Sequence, residues 1–402
     1  MKFKQSTLKK FVIPVIMVLI IQTSPTLSIN NQSDFSNFIL AVNLKCTYPE
    51  AVAKKKKLKS ADWFLKRAKK ANPQKLEDQF NQRLTAKAKE FIPQLYPEGV
   101  KLALDITKSP VYTKSKSSYI TGGEAEKGTT QFYQFLGAGV LERQVKFPLN
   151  FHLMRKGELK KLGGIVRNFI QQISQFLKIR LVILDRGFFW SSVVKEIQEC
   201  SQPFIIGMKK TLNVKKILDK LMHSKLAKRK SFVLQKPRYR VERMGDNCWR
   251  IQDFSYGKPL VTVQLVLWRH KIKKKKNQRR KISYLDYSAF ITSPEIDPLQ
   301  VLELYGTRWR IETAFRQIRQ VWGKTRVINP SVRIWLFGVA CLLYASWVHR
   351  HAPSSMEKVI PEGSLDWNLE KEYQAWMRAR ISVREMQDQY LAILEACLEM
   401  VV

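Results

Sequence analysis

The sequence predicts a mixed α/β protein, a mixed sheet with helices packed on it. Three observations carry that expectation. From residue 101 to 210, strand-like and helix-like stretches follow in the order β-β-β-α-β-α-β. Three consecutive strands, then strands alternating with helices, imply antiparallel pairing that gives way to crossovers onto one sheet. Hydrophobic residues make up 45% of 402 residues, enough for a large core in two or three domains. The third observation is charge. Lys plus Arg number 71 against 33 Asp plus Glu, a net of +38. A small-molecule enzyme has no use for that excess, whereas a polyanion does, because each neutralised phosphate releases counterions.

Residues 1–100 read as a helical, basic N-terminal region with DNA contact inferred from charge. "KKKKLKSADWFLKRAKKA" interleaves lysines with Trp63, Phe64 and Leu65. "QKLEDQFNQRLTAKAKEFIPQLYP" repeats apolar residues at three and four, and Pro93 and Pro97 are expected to end it. The apolar run Phe11–Ile21 follows four lysines as a signal peptide would, but no Ala-x-Ala site follows and Pro14 interrupts it. We read it as a buried segment rather than a secretion signal.

Residues 101–210 are the first part of the expected α/β core. "VKLALDI" is a buried-strand run with Asp105 at its end, and "TQFYQFLGAGVL" and "QVKFPLNFHLM" are two more strands. "GELKKLGGIVRNFIQQISQFLK" is helical, "IRLVILDRG" is a strand ending in Asp185, "FFWSSVVKEIQEC" a helix and "PFIIGMKK" a strand. Residues 211–283 read as a β-rich insertion that ends in the basic loop "HKIKKKKNQRRK". Residues 284–350 bring a strand, then a long helix from Asp297 to Val321 with Asp297 as its N-cap. An apolar helix follows, its centre Ile334–Val348 read as core rather than membrane. Residues 351–402 are expected to be helical.

Five cysteines without a CxxC pair signal neither zinc nor a disulfide framework and suit a reducing cytosol. The five histidines show no metal-ligand spacing.

On a wheel of about 100° per residue, Tyr305, Arg308, Glu312 and Arg319 share an arc of roughly 60°. The apolar stripe of Leu304, Ile311, Phe315, Ile318 and Trp322 lies beside it. A salt-bridge ladder does not require the polar stripe to hug the core edge; a catalytic helix beside a sheet does. Asp105 and Asp185 each follow a buried-strand run, where a carboxylate is costly unless solvated, hydrogen-bonded or bound to a cation. Taken singly, each is also a good turn or cap residue. Two strand-end aspartates and a helical glutamate together make an oxygen donor set for hard divalent cations. Two Mg²⁺ about 4 Å apart would activate the attacking oxygen and stabilise the leaving oxygen of a phosphodiester.

These residues resemble the DDE transposases of bacterial and archaeal insertion sequences, in the branch with a Tyr-x2-Arg-x3-Glu-x6-Lys signature. "YGTRWRIETAFRQ" supplies Tyr305, Arg308 and Glu312 at that spacing, and Arg319 stands at the Lys position. "LALDIT" and "ILDRGFF" match the two aspartate motifs, and the longer gap before the glutamate suits a branch with a β-rich insertion. The resemblance covers about residues 100–350. It implies a ribonuclease-H-like fold with Asp105, Asp185 and Glu312 as catalytic residues and metal ligands, for two Mg²⁺ with Mn²⁺ as substitute. It further implies Tyr305, Arg308 and Arg319 on DNA, cleavage at terminal inverted repeats, strand transfer into target DNA, and a homodimer bridging two ends. Some members pass through a hairpin with a flipped base stacked on an aromatic. Trp190, Trp249 and Trp268 are candidates, each expected instead in the core. The expected place is the prokaryotic cytoplasm, with the chromosome and no membrane. The rivals are a stand-alone metal-dependent nuclease of the same fold and an inactive DNA-binding derivative.

Overall fold

The computed structural model describes residues 38–43, 47–54, 60–113, 117–126, 128–142, 145–208, 230–235, 238–272 and 284–351, with 35 and 217. The apolar run Phe11–Ile21, most of the basic loop and the C-terminal region from 352 lie outside them. The chain divides into two compact units. One comprises Met1–Pro97, Ile106–Leu159 and Arg310–Val402; the other Glu98–Asp105 and Lys160–Trp309.

The first unit opens with helices α1 (Pro49–Ala53), α2 (Ala61–Ala68), α3 (Pro73–Lys89) and α4 (Ile92–Leu95). Ser60 caps α2 by accepting from Trp63 N–H, and Asn72 caps α3 with Pro73 behind it. Pro93 does not end a helix as expected. It sits in the first turn of α4, where its missing N–H costs nothing. Strand β1 (Val100–Pro110) crosses from the second unit into the first. Beyond it come β2 (Thr121–Glu126), β3 (Thr129–Leu141) and β4 (Lys146–Leu153), with β2 and β4 each antiparallel to β3. Strand β2 is not foreseen by the sequence pattern. Its "TGGEAE" is exposed from Gly122 onward and carries no apolar alternation.

Near the unit's end stand α8 (Trp309–Gln320), which begins in the second unit, and α9 (Pro330–His351). The stretch Pro330–His349 is long and apolar enough to cross a membrane, yet it is buried throughout, as the core reading expects. It is wedged among aromatics: Phe80 meets Trp335 at 5.5 Å and Phe135 meets Phe337 at 4.2 Å between ring centres. A Cβ at Gly338 would overlap the Phe80 ring. Asn43 Nδ2 donates to the carbonyls of Val321 (3.0 Å) and Leu336 (2.6 Å), fastening the N-terminal helical segment to residues nearly 300 positions away.

The second unit is built on a sheet with the order β1-β5-β6-β11-β10-β9-β8-β7. β5 (Ile179–Leu184) and β6 (Phe204–Gly207) run parallel to β1. β11 (Tyr284–Thr292) is antiparallel to β6, and β10 (Val261–Ile272), β9 (Cys248–Tyr256), β8 (Arg238–Gly245) and β7 (Ser231–Gln235) continue as an antiparallel meander. Helices α5 (Leu162–Ser174) and α6 (Ser191–Glu199) make the parallel crossovers. Gly163 lets α5 approach α6, since a Cβ there would stand 2.7 Å from the Ser192 carbonyl. Read through β1, the strand sequence β4-β3-β1-β5-β6 with helices between the parallel strands is the ribonuclease-H-like arrangement.

The expected single helix from Asp297 to Val321 is two helices. Asp297 Oδ1 caps a turn by accepting from Leu299 N–H, and α7 (Val301–Gly306) starts later. Thr307 and Arg308 then donate to the carbonyls of Leu304 and Tyr305, three residues back, and Thr307 Oγ1 also donates to Leu304 O at 2.7 Å. These shorter-range bonds and the threonine's back-bond end α7 before α8 begins.

Candidate active site

β1 and β5 set the first part of the site. Their parallel register pairs Leu102 with Val182, Ala103 with Ile183 and Leu104 with Leu184. These six side chains are fully buried. Asp105 and Asp185 are each the next residue, so two carboxylates leave the core side by side, both half-buried. The strand does not stop at Asp105, as the sequence leads one to expect; β1 runs on to Pro110, while the parallel ladder ends at Leu104. Asp185 does open a turn. Its Oδ1 accepts from Gly187 N–H at 2.7 Å, capping the 3₁₀ turn Arg186–Phe188. A Cβ on Gly187 would press on that oxygen at 2.8 Å.

Tyr305 joins this pair from α7. The helix packs on a cluster formed by Leu181, Ile183, Ile205, Val266 and Phe290, with Leu304 and Tyr305 against it. Tyr305 meets Phe290 at 4.8 Å, and a Cβ at Gly207 would overlap its hydroxyl, so glycine on β6 makes the space. Burial pushes the Tyr305 phenol up; Arg308 lowers it and the Asp185 charge raises it further. The phenol therefore stays a neutral hydrogen-bond donor at physiological pH. The Arg308 guanidinium carbon lies 5.6 Å from the Tyr305 ring and 5.7 Å from the Trp309 ring. Arg186, Tyr305 and Trp309 line an open cleft of about 630 Å³ with His270 and Tyr287.

Glu312 and Arg319 belong to the other unit, on α8. The break at Thr307–Arg308 means that they do not share one straight helix with Tyr305. Ile311, Ala314, Phe315 and Ile318 are the buried face of α8. β3 receives them through Gly137 and Gly139: a Cβ at Gly137 would overlap the Phe315 ring, and one at Gly139 would come 3.1 Å from Ile311. Glu312 is half-buried at the border of that face. Arg319 donates through Nη2 and Nε to Thr107 Oγ1 at 2.8 and 3.2 Å. Among the described residues, no three His, Cys, Asp or Glu side chains are gathered closely enough to hold a metal. The adjacent oxygens of Asp105 and Asp185 are nonetheless the donor type that a hard divalent cation takes.

Two residues escape the sequence reading. Trp309 is 61% exposed, and the wheel puts it at about 40° from Tyr305, on the polar side, where a tryptophan is out of place. Arg186 is exposed directly after Asp185, and "DRG" carries the signal. Of the three tryptophans weighed for base stacking, Trp249 is buried and Trp268 is partly so, donating to Pro298 O at 3.3 Å. Trp190 departs from the expected core role: it is 54% exposed, held by Nε1 to Gly187 O at 3.0 Å.

No curated protein matches this chain. A solved structure titled cryo-EM structure of piggyBac transposase synaptic complex with hairpin DNA aligns over 95% of this chain and 72% of that one, at 11% identity and a TM-score of 0.42. A likeness that faint carries no argument for function. The family described as transposase DDE domain matches residues 98–344, which spans β1, the parallel strands, the meander and most of α9. A match over more than half of the chain makes it a member of that family, a transposase that cleaves and transfers DNA strands.

Proposed function

We propose that this chain is the transposase of a prokaryotic insertion sequence, in the branch marked by Tyr305, Arg308, Glu312 and a basic residue at 319. It cuts at terminal inverted repeats and joins the freed ends to target DNA. The observation that carries the reading is the register of β1 and β5, which sets Asp105 beside Asp185, with Tyr305 packed near enough to feel the Asp185 charge. Glu312 completes the carboxylate set.

Asp105, Asp185 and Glu312 would hold Mg²⁺, two ions in this reading, with Mn²⁺ as substitute. When bound, the cations supply Lewis-acid activation and charge neutralisation at the scissile phosphate. The chain's own residues do the rest. Gly187 N–H fixes one oxygen of Asp185. Tyr305, kept protonated by burial, donates to a phosphate oxygen, and Arg308 and Arg319 each grip DNA phosphate. Water attacks the phosphorus at the element's end and the 3′-oxygen leaves as a hydroxyl. That hydroxyl then attacks a target phosphodiester, so one P–O bond forms as another breaks. Residues 1–100 and the insertion at 211–283 add basic surface for the ends. The core is divided as 101–210 and 284–350, and a homodimer bridges two ends beside the chromosome.

The test is cleavage of a supercoiled plasmid bearing the element's ends with Mg²⁺ or Mn²⁺. Glu312→Ala and Asp185→Ala should abolish metal-dependent nicking while leaving DNA binding intact. Nicking that survives both substitutions would remove the assignment. Nicking without joining would make the protein a nuclease, and binding without nicking an inactive derivative.

A further inference from the structure

Within the second unit, the β-rich insertion packs against the turn that presents Asp185. That turn is held by local bonds. Phe188 N–H donates to Asp185 O at 3.1 Å, Phe189 N–H to Arg186 O at 3.4 Å and Trp190 Nε1 to Gly187 O at 3.0 Å. Bonds this local leave a segment easy to open unless its side chains are also held. Phe188 is buried in the core. Phe189, the next residue, stacks instead on Tyr256 at the end of β9, with ring centres 4.6 Å apart and planes 11° from parallel. Phe254 lies 6.1 Å from Tyr256, and Tyr239 on β8 lies 5.4 Å from Phe254. A file of four rings thus runs from β8 to the Asp185 turn. Two further contacts reinforce it. Gln198 Nε2 on α6 donates to Thr262 O on β10 at 2.8 Å. Gly257, at φ +82°, brings the β9–β10 turn so close to α6 that a Cβ there would stand 2.3 Å from Ser191 Cβ. Burial pushes the Tyr256 phenol up, and its hydroxyl has no hydrogen-bond partner among the described residues. What Tyr256 contributes is therefore its ring face.

We infer that Tyr256 is a positioning residue for the proposed metal site. Its ring holds Phe189, and Phe189 holds the turn whose Gly187 N–H fixes Asp185 Oδ1. The inference rests on the transposase reading and deepens it, because it gives the insertion a task at the site besides added basic surface. A carboxylate whose supporting turn frays spends less time in ligand geometry. The loss therefore falls on metal affinity, while the rate at saturating metal and the affinity for DNA are kept.

Amide hydrogen exchange of the full chain tests this, read by mass spectrometry on peptides covering 186–190, alongside plasmid nicking across a Mn²⁺ titration. Tyr256→Ala should speed exchange in that segment about tenfold. It should also raise the Mn²⁺ concentration for half-maximal nicking about tenfold, with the maximal rate recovered at saturating Mn²⁺. Tyr256→Phe should leave both unchanged. Val166→Ala, at a fully buried position on α5 outside the file of rings, controls for general loss of stability: it should lower the melting temperature and move neither. Exchange at 186–190 that rises no more in Tyr256→Ala than in Val166→Ala overturns the inference. So does an unmoved Mn²⁺ midpoint while wild type nicks, or a Tyr256→Phe variant as impaired as Tyr256→Ala. The two readings fail separately. Wild type that never nicks, with exchange still responding to Tyr256→Ala, would sink the transposase mechanism and keep Tyr256 as the support of the Asp185 turn. Normal wild-type nicking with exchange and Mn²⁺ midpoint unchanged in Tyr256→Ala would do the reverse.

Discussion

Gly187 occupies a tight position at the proposed metal site. Its N–H holds Asp185 Oδ1, and its missing side chain leaves that oxygen room. Gly187→Ala should therefore swing the carboxylate and cut end-nicking by about tenfold to a hundredfold, the usual cost of disturbing a ligand's support. Steady-state cleavage compared with a thermal melt checks it; an equal loss of stability would point to the fold instead. At this scale the sequence is informative where a residue type is expensive. Asp105 and Asp185 stand out together because a carboxylate after a buried-strand run is costly unless solvated, hydrogen-bonded or bound to a cation. Arg186 and Trp309 do not, since an arginine in a basic chain and one aromatic among many carry little signal alone.

Among the elements, strands of branched residues are legible because their burial is continuous. β2 is not, being an exposed edge strand. The broken helix is hidden for a different reason. Thr307 keeps φ −66° and ψ −19°, close to helical, and no proline or helix-breaking residue run marks the turn, so the sequence pattern reads straight through it. The glycine under α8 is sensitive to any added volume. Gly137→Ala would drive a methyl into the Phe315 ring and should cost about 1–3 kcal/mol in urea unfolding, with Phe315→Leu recovering part of it. A histidine links α3 to β4. His152 Nδ1 lies 2.7 Å from Glu77 and Nε2 3.0 Å from Glu158. Burial alone would lower its pKa, but the two carboxylates overcome that and hold it at about 9. Its folded pKa is thus above the unfolded value of about 6.5. The added stability is full below that pH and is lost as pH rises through about 9. Melting temperature should fall by several degrees across that window, and His152→Gln should flatten the fall.

For the whole molecule, charge outweighs every other feature. With a net of +38, binding to any duplex should be strong at low salt and fall steeply with it, log affinity losing about 0.9 per phosphate neutralised for each decade of salt. Arg308→Ala and Arg319→Ala should each reduce that slope by about one without changing which end sequence is preferred. A salt titration against matched and scrambled ends reads both. The charge is plain in the composition. The division of the chain is not, because nothing local marks Asp105 and Ile106 as belonging to different units while they share a strand.

The bonds from Asn43 to Val321 and Leu336 set a timetable for synthesis. Phe35, which is buried and meets the Trp335 ring at 5.2 Å, leaves the ribosome long before the helix that carries Trp335 exists. At roughly 5–20 residues per second, the wait is on the order of 15–60 seconds. Through that interval the nascent chain carries an uncovered greasy surface, a natural substrate for chaperones. A message truncated before α9 would yield a polypeptide that never closes, destined for aggregation or proteolysis rather than for DNA.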